Sequence, residues 1–168
     1  MAFNIDFYKN MEKNKKYEHL LKSLEEYLSE ESDSLSNLCN SASFIYAFLE
    51  NLNWSGFYLY KNGKLKLGPF CGFPATTEIE VGKGVCGSSF ERKETIVVDN
   101  VCEFPGHITC DVRSKSEIVL PLIQNGKMYG VLDIDSSIYS NFKEEEVKVL
   151  KDALEIMYKY INFEEIVK

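Results

Sequence analysis

Residues 116–135 read Ser-Glu-Ile-Val-Leu-Pro-Leu-Ile-Gln-Asn-Gly-Lys-Met-Tyr-Gly-Val-Leu-Asp-Ile-Asp, and the fold turns on how they pair. Two apolar, partly β-branched runs, residues 118–123 and 128–135, flank Asn125-Gly126, a dipeptide suited to a tight two-residue turn, so the stretch predicts a β-hairpin. Strand alternation puts Val131, Asp133 and Asp135 on one face, with the two carboxylates roughly 7 Å apart along the strand. Strict pairing would set Asp133 opposite Ile118 and Asp135 opposite Ser116, turning Glu117 to the other face. Pro121 cannot donate to a ladder and marks an edge or a bulge. One bulged residue would bring Glu117 round to the aspartates, so a register irregularity is expected if the three acids act together. Acids at the end of an apolar strand either fray into solvent or form a cation or ammonium site, because burying them unpaired is costly.

Working outward, Tyr17, Leu20, Leu21, Leu24 and Leu28 fall at helical spacing, as do Leu35, Leu38, Ala42, Ile45, Leu49 and Leu52. The polar stretch 31–34 separates them and supplies short side chains that cap the second helix. Val147, Leu150, Leu154, Met157 and Ile161 make a third stripe, with Asn141 and Glu144 placed as a capping box at its start. Residues 54–60 and 64–67 around Asn62-Gly63 predict a second hairpin, and residues 96–98 a brief strand. Helices at both ends of a largely antiparallel sheet give an α+β fold, expected as one domain over residues 1–168. Residues 68–111 hold little regular structure beyond a short helix and one strand; so long an irregular stretch points to function.

A formal charge of −7 argues against binding a phosphate backbone, so no nucleic-acid partner is expected. The N-terminus has no continuous apolar core, and no later run reaches the roughly 20 apolar residues of a membrane span. No membrane association and a cytoplasmic location are therefore expected. Five cysteines, an odd number, fit transiently oxidised or buried thiols better than a disulfide framework in a reducing compartment.

Cys110 lies in Phe104-Pro-Gly-His-Ile-Thr-Cys-Asp111, where His107, Arg113 and Lys115 favour its thiolate and Asp111 opposes it. Taken alone, His107 reads as an ordinary loop histidine. Gly82-Lys-Gly-Val-Cys-Gly87 matches G-x-G-x-x-G, but the stretch before the next strand is only about two turns, too short for a βαβ crossover. It reads instead as a turn into a short helix whose N-terminus would lower the pKa of Cys86. Cys102, His107 and Cys110 have C-x4-H-x2-C spacing without a clear fourth ligand beyond Cys86 or Cys71, and no metal is expected.

Together, Asn53-Trp-Ser-Gly-Phe-Tyr58, Leu67-Gly-Pro-Phe70, Gly82-Lys-Gly-Val-Cys-Gly87, Phe104-Pro-Gly-His-Ile-Thr-Cys-Asp111, Ser116-Glu-Ile118 and Gly130-Val-Leu-Asp-Ile-Asp135 resemble the free methionine-R-sulfoxide reductases, single GAF-domain enzymes. The resemblance implies a six-stranded antiparallel sheet flanked by N- and C-terminal helices. It also implies thiol-dependent reduction of free methionine-R-sulfoxide, with no bound cofactor. Cys110 matches the nucleophile, which would attack the sulfoxide sulfur, release methionine and become a sulfenic acid. A second thiol would then close a disulfide, reopened by a thioredoxin-type reductant and ultimately NADPH. Glu117, Asp133 and Asp135 match the family's acidic cluster, Trp54 and Tyr58 its aromatic wall, and a homodimer is implied.

The sulfoxide oxygen must leave protonated, and clustered like charges raise a carboxyl pKa, which suits Glu117 or Asp135 as the acid. The remaining carboxylates would hold the substrate's ammonium. The sequence departs from the family at Thr76, where members commonly carry a cysteine. Resolution then falls to Cys86, whose motif is intact, to Cys71 as the alternative, or to an external thiol. Cys39 is expected as a buried structural thiol. The competing reading is a non-catalytic GAF module that binds a small molecule or senses redox state, since the fold alone does not dictate catalysis.

Overall fold

In the computed structural model, which describes residues 4–108 and 111–168, two helices lead into the sheet: α1 (Lys13–Glu30) and α2 (Ser34–Phe48). Strands β1 (Leu52–Lys61), β2 (Lys64–Gly72) and β3 (Glu78–Glu80) follow, then α3 (Gly84–Arg92) and β4 (Ile96–Val98). The hairpin β5 (Ser116–Gln124) and β6 (Lys127–Ser136) precedes α4 (Glu144–Tyr160) and the short α5 (Phe163–Val167). The six strands form one sheet in the order β3-β2-β1-β6-β5-β4, and each adjacent pair is antiparallel. The expected α+β arrangement is what the chain adopts.

Alternation along the strands divides the molecule into two layers. Phe57, Leu59, Ile118, Leu120, Leu122, Leu132 and Ile134 point to one face and pack with Leu20, Leu24, Leu38, Ile45, Leu150 and Met157 of the long helices. Trp54, Tyr58, Leu65, Val119 and Val131 point to the other face and pack with Val85, Cys86 and Val101 in a smaller cluster around α3. Each fully buried aliphatic side chain contributes roughly 1.5–3 kcal/mol, so the helical face carries most of the hydrophobic stabilisation.

The hairpin contains the expected irregularity. Gln124 pairs with Lys127 and Ile123 with Met128, but Leu122 then pairs with Gly130, leaving Tyr129 as an extra residue on β6. From there the ladder runs one residue out of strict register, so Glu117 lies opposite Asp135 and Val119 opposite Asp133. The insertion is on β6, not at Pro121. The proline pairs with Val131, beyond the short β4, which covers only residues 117–119 of β5. Gly130 makes the bulge possible: its φ is +154°, and a Cβ there would lie 2.1 Å from the Tyr58 carbonyl oxygen on β1.

Local signals held in part. Asp33 caps α2, its Oδ2 accepting from the Ser36 amide at 2.7 Å. The second apolar stripe outruns its helix, however: α2 stops at Phe48, Leu52 opens β1, and Leu35 is exposed. The start of α4 is held by Glu146, which accepts from the Lys143 amide at 2.8 Å, whereas Asn141 donates to the Glu50 carbonyl. Glu146 also takes the Tyr17 hydroxyl at 2.6 Å, a tertiary use that fixes it at this position. Within the stretch expected to be irregular, β2 runs on past Gly68-Pro69 to Gly72, and β3 adds a third strand. Among the described residues no helix is long and apolar enough to cross a membrane.

Candidate functional site

The bulge gathers chemistry at one end of the smaller layer. Glu117 on β5 and Asp133 and Asp135 on β6 share a face, and all three are buried. Cys86 reaches them from the first turn of α3, whose entry uses Gly84 at φ +60°. One donor atom from each of Cys86, Glu117 and Asp133 lies within 4.8 Å of the others. With Lys83, His107, Ile108, Ser114, Ile79 and Val85, these groups line a cleft of about 350 Å³, counting space open to solvent.

Burial and mutual charge set the electrostatics of the cleft, and Cys86 and Glu117 both lie in hydrogen-bond contact with Asp133. Burial pushes the Glu117 carboxyl well above its ordinary range, and the charge of Asp135 pushes it further. Burial also raises Asp133, with Glu117 adding to the effect, and Asp135, with Asp133 adding to it. Ser114 donates to Asp135. Asp133 Oδ1 has no hydrogen-bond partner among the described residues.

His107 reads as an ordinary loop residue in sequence, yet its Nε2 lies 3.2 Å from Glu117 Oε2. Burial lowers its pKa and raises that of Glu117, so in this contact burial disfavours the charged form of both partners. Nothing in the spacing of the sequence announces this contact, because it depends on how loop 104–108 folds onto β5. Asp111 is held differently: Arg113 grips it at 2.6 Å and Asn53 at 3.2 Å, its carboxyl lies far below the usual range, and its charge adds to the rise of Asp135.

Trp54 and Tyr58 lie on the same face as the acids, Trp54 in register with Asp135 and Tyr58 with Val131. Trp54 stacks on Phe70 at 5.3 Å and on Tyr58 at 6.0 Å. Both rings are buried beneath the loop after β2, to which they donate: Trp54 Nε1 to the Phe73 carbonyl at 3.1 Å, Tyr58 Oη to the Thr76 carbonyl at 2.8 Å. The open cleft is lined by Ile79, Val85 and Ile108 rather than by these rings.

The thiols distribute differently from expectation. The Cys86 thiol is pushed well above its ordinary pKa by burial and by the carboxyls of Asp133 and Glu117, which overrides the lowering expected from the N-terminus of α3. A helix terminus supplies only about 0.3–1 kcal/mol at an exposed site, less than the cost of a buried thiolate among acids. Cys71 is half-buried on the opposite face, hydrogen-bonded to Ser43 of α2, and does not enter the cleft. Cys39, expected as a buried thiol, is exposed. Cys102 is exposed on a 3-10 turn, outside the cleft. Cys110 lies outside the described residues.

The GAF domain model matches residues 23–156. Protein YtsP of Bacillus subtilis is 43% identical over 150 residues, covering 88% of this chain and 92% of that protein. The free methionine-R-sulfoxide reductase of Escherichia coli is 39% identical over 144 residues, covering 86% of this chain and 87% of the relative. The structure described as fRMsr of Staphylococcus aureus in complex with substrate superposes with a TM-score of 0.82 at 39% identity, covering 87% of this chain and 95% of that one. With such identity running through nearly the whole of both partners, this chain belongs to the free methionine-R-sulfoxide reductase family of GAF domains.

Proposed function

We propose that this protein reduces free L-methionine-(R)-S-oxide to methionine, with Cys110 as the nucleophile. The observation that carries the reading is a small cleft that gathers Glu117, Asp133 and Asp135, whose carboxyls burial raises above their ordinary range, and in which Asp133 Oδ1 has no partner among the described residues. The reductase names and substrate complex among its relatives support the same chemistry.

In the first step the Cys110 thiolate attacks the sulfoxide sulfur, forming an S–S bond as the oxygen is protonated. The hydroxyl then passes to the Cys110 sulfur while the S–S and methionine S–O bonds break, leaving a sulfenic acid and a methionine whose sulfur is reduced by two electrons. Glu117 or Asp135, kept neutral by burial, supplies the proton that makes oxygen transfer feasible. The substrate ammonium sits at Asp133 Oδ1. A methionine within a protein has no such ammonium, which directs the site to the free amino acid. Trp54 and Tyr58 form the wall for the methylthio end once the 73–76 loop admits it.

In the second step Cys86 attacks the sulfenic sulfur, giving a Cys86–Cys110 disulfide and water. Asp133, already bonded to the Cys86 thiol, takes its proton. A thioredoxin-type dithiol, supplied with electrons by NADPH, returns both thiols. The cycle requires no bound cofactor, and the protein works as a cytoplasmic homodimer in this reading.

The test is methionine release from separate R and S epimers with dithiothreitol, for wild type and Cys110→Ser. Turnover of the R epimer alone, abolished by the substitution, is the expected result. No turnover with either epimer would leave a binding or redox-sensing GAF module.

A further inference from the structure

We infer that Cys86, Glu117, Asp133 and His107 form an inhibitory binding site for a borderline-soft divalent cation of the zinc class. The donor set comes first. A thiol, an imidazole and two carboxylates are the ligand types zinc takes, whereas magnesium and calcium prefer oxygen alone. The geometry gathers three of these donors, with His107 joined to them through Glu117. His107 Nε2 and Glu117 Oε2 are 3.2 Å apart. Bonds of about 2.1 Å in a tetrahedral shell would place two such ligands roughly 3.4 Å apart. The Cys86, Glu117 and Asp133 donors lie within 4.8 Å of one another, close enough to share one ion.

A second observation points to a ligand independently of the acids' clustering. Asp133 is 94% buried (6% exposed), lines the cleft, and leaves Oδ1 without a partner among the described residues. An orphaned buried carboxylate oxygen beside a thiol is costly unless something positive occupies the space. A metal ion supplies that charge. The binding step releases the Cys86 proton, with any proton on the two carboxyls, to solvent, and forms metal bonds to sulfur, nitrogen and two oxygens with no change of oxidation state. The ion would occupy the substrate's ammonium position and immobilise Cys86. That consequence rests on the reductase reading, whereas the site itself does not.

The experiment is a cobalt(II) titration of the full-length chain, kept reduced by a phosphine because dithiols chelate the metals. Saturable binding with a thiolate-to-cobalt absorption band is expected, displaced by zinc and accompanied by proton release that shows as buffer-dependent heat. Cys86→Ser should abolish the band, Asp133→Asn should weaken binding at least about tenfold, and Cys102→Ser should leave both unchanged. Circular dichroism checks that each variant is folded. Absence of saturable binding, or a band that persists in Cys86→Ser, overturns the site. Zinc should also raise the apparent KM for the sulfoxide. If the protein binds cobalt through Cys86 but turns over neither epimer, the metal site stands and the reductase reading falls.

Discussion

Asp133 lies in hydrogen-bond contact with Cys86 and Glu117 and leaves Oδ1 without a partner among the described residues, so its substitution tests substrate binding through KM. A charge-assisted hydrogen bond contributes about 1.5–3 kcal/mol, so Asp133→Asn should raise KM for free methionine sulfoxide roughly 10- to 100-fold. Steady-state kinetics would check this, and an unchanged KM would place the ammonium elsewhere. Cys86→Ser addresses resolution. Without reductant it should release one methionine per chain and retain a sulfenic acid that dimedone traps, while thioredoxin-driven turnover disappears. Undiminished thioredoxin turnover in that variant would pass the resolving role to Cys71 or an external thiol. The identities of these residues were legible in the sequence, but their surroundings were not. Cys71 and Phe70 are neighbours in the chain, yet alternation sends Phe70 to the aromatic wall and Cys71 to Ser43 behind the sheet. Thr76 offers its backbone carbonyl to Tyr58, a role that residue type does not encode.

The β5–β6 hairpin positions the site, and Gly130 is its most sensitive point. A methyl group there must be accommodated 2.1 Å from the Tyr58 carbonyl oxygen at a φ that side-chain-bearing residues avoid. Gly130→Ala should cost about 2–3 kcal/mol, measured by urea unfolding, and reduce activity in the surviving folded fraction by distorting the acids. A variant as stable and active as wild type would show that the bulge tolerates relaxation. The sequence pattern makes this hairpin visible and even demands an irregularity, because Glu117 and the aspartates have opposite parity. It points to Pro121 for lack of a donor, whereas the extra residue lies across the ladder at Tyr129, whose ring packs beside Phe163 on the helical face. That choice is made by tertiary packing, which local pattern does not contain. The long helices were legible because their stripes repeat over several turns; the short β3 was not, since three residues carry no periodicity.

At the scale of the molecule, the sheet separates stabilisation on its helical face from chemistry on the other, and this separation has a pH signature. Glu117, Asp133 and Asp135 have raised pKa values when folded, so the folded chain binds more protons than the unfolded one. Their contribution is fully present below the ordinary carboxyl values and is lost as pH rises through the folded ones. Glu146 acts oppositely. Although burial opposes it, Lys13, Tyr17 and the Lys143 amide hold its pKa down, and that stability is lost in acid. Stability should therefore peak in mildly acidic solution, with Tm a few degrees higher near pH 5.5 than near pH 8. Calorimetry at the two values checks this. The triple variant Glu117→Gln, Asp133→Asn, Asp135→Asn should flatten the dependence on the alkaline side, and an unaltered slope would mean that other groups set it.

The extra residue at Tyr129 gives the hairpin something like a reading frame. Point substitutions in the turn leave it intact, but a single deletion between Leu122 and Val131 shifts every downstream pairing by one. Either the acids of β6 or Glu117 of β5 would then face the helices, where the partners are leucines and isoleucines. Length changes in this one turn can therefore separate catalytic from purely binding descendants of the fold while scarcely altering composition. When GAF chains are compared, the residue count between the equivalents of Glu117 and Asp135 is as diagnostic as the acids themselves.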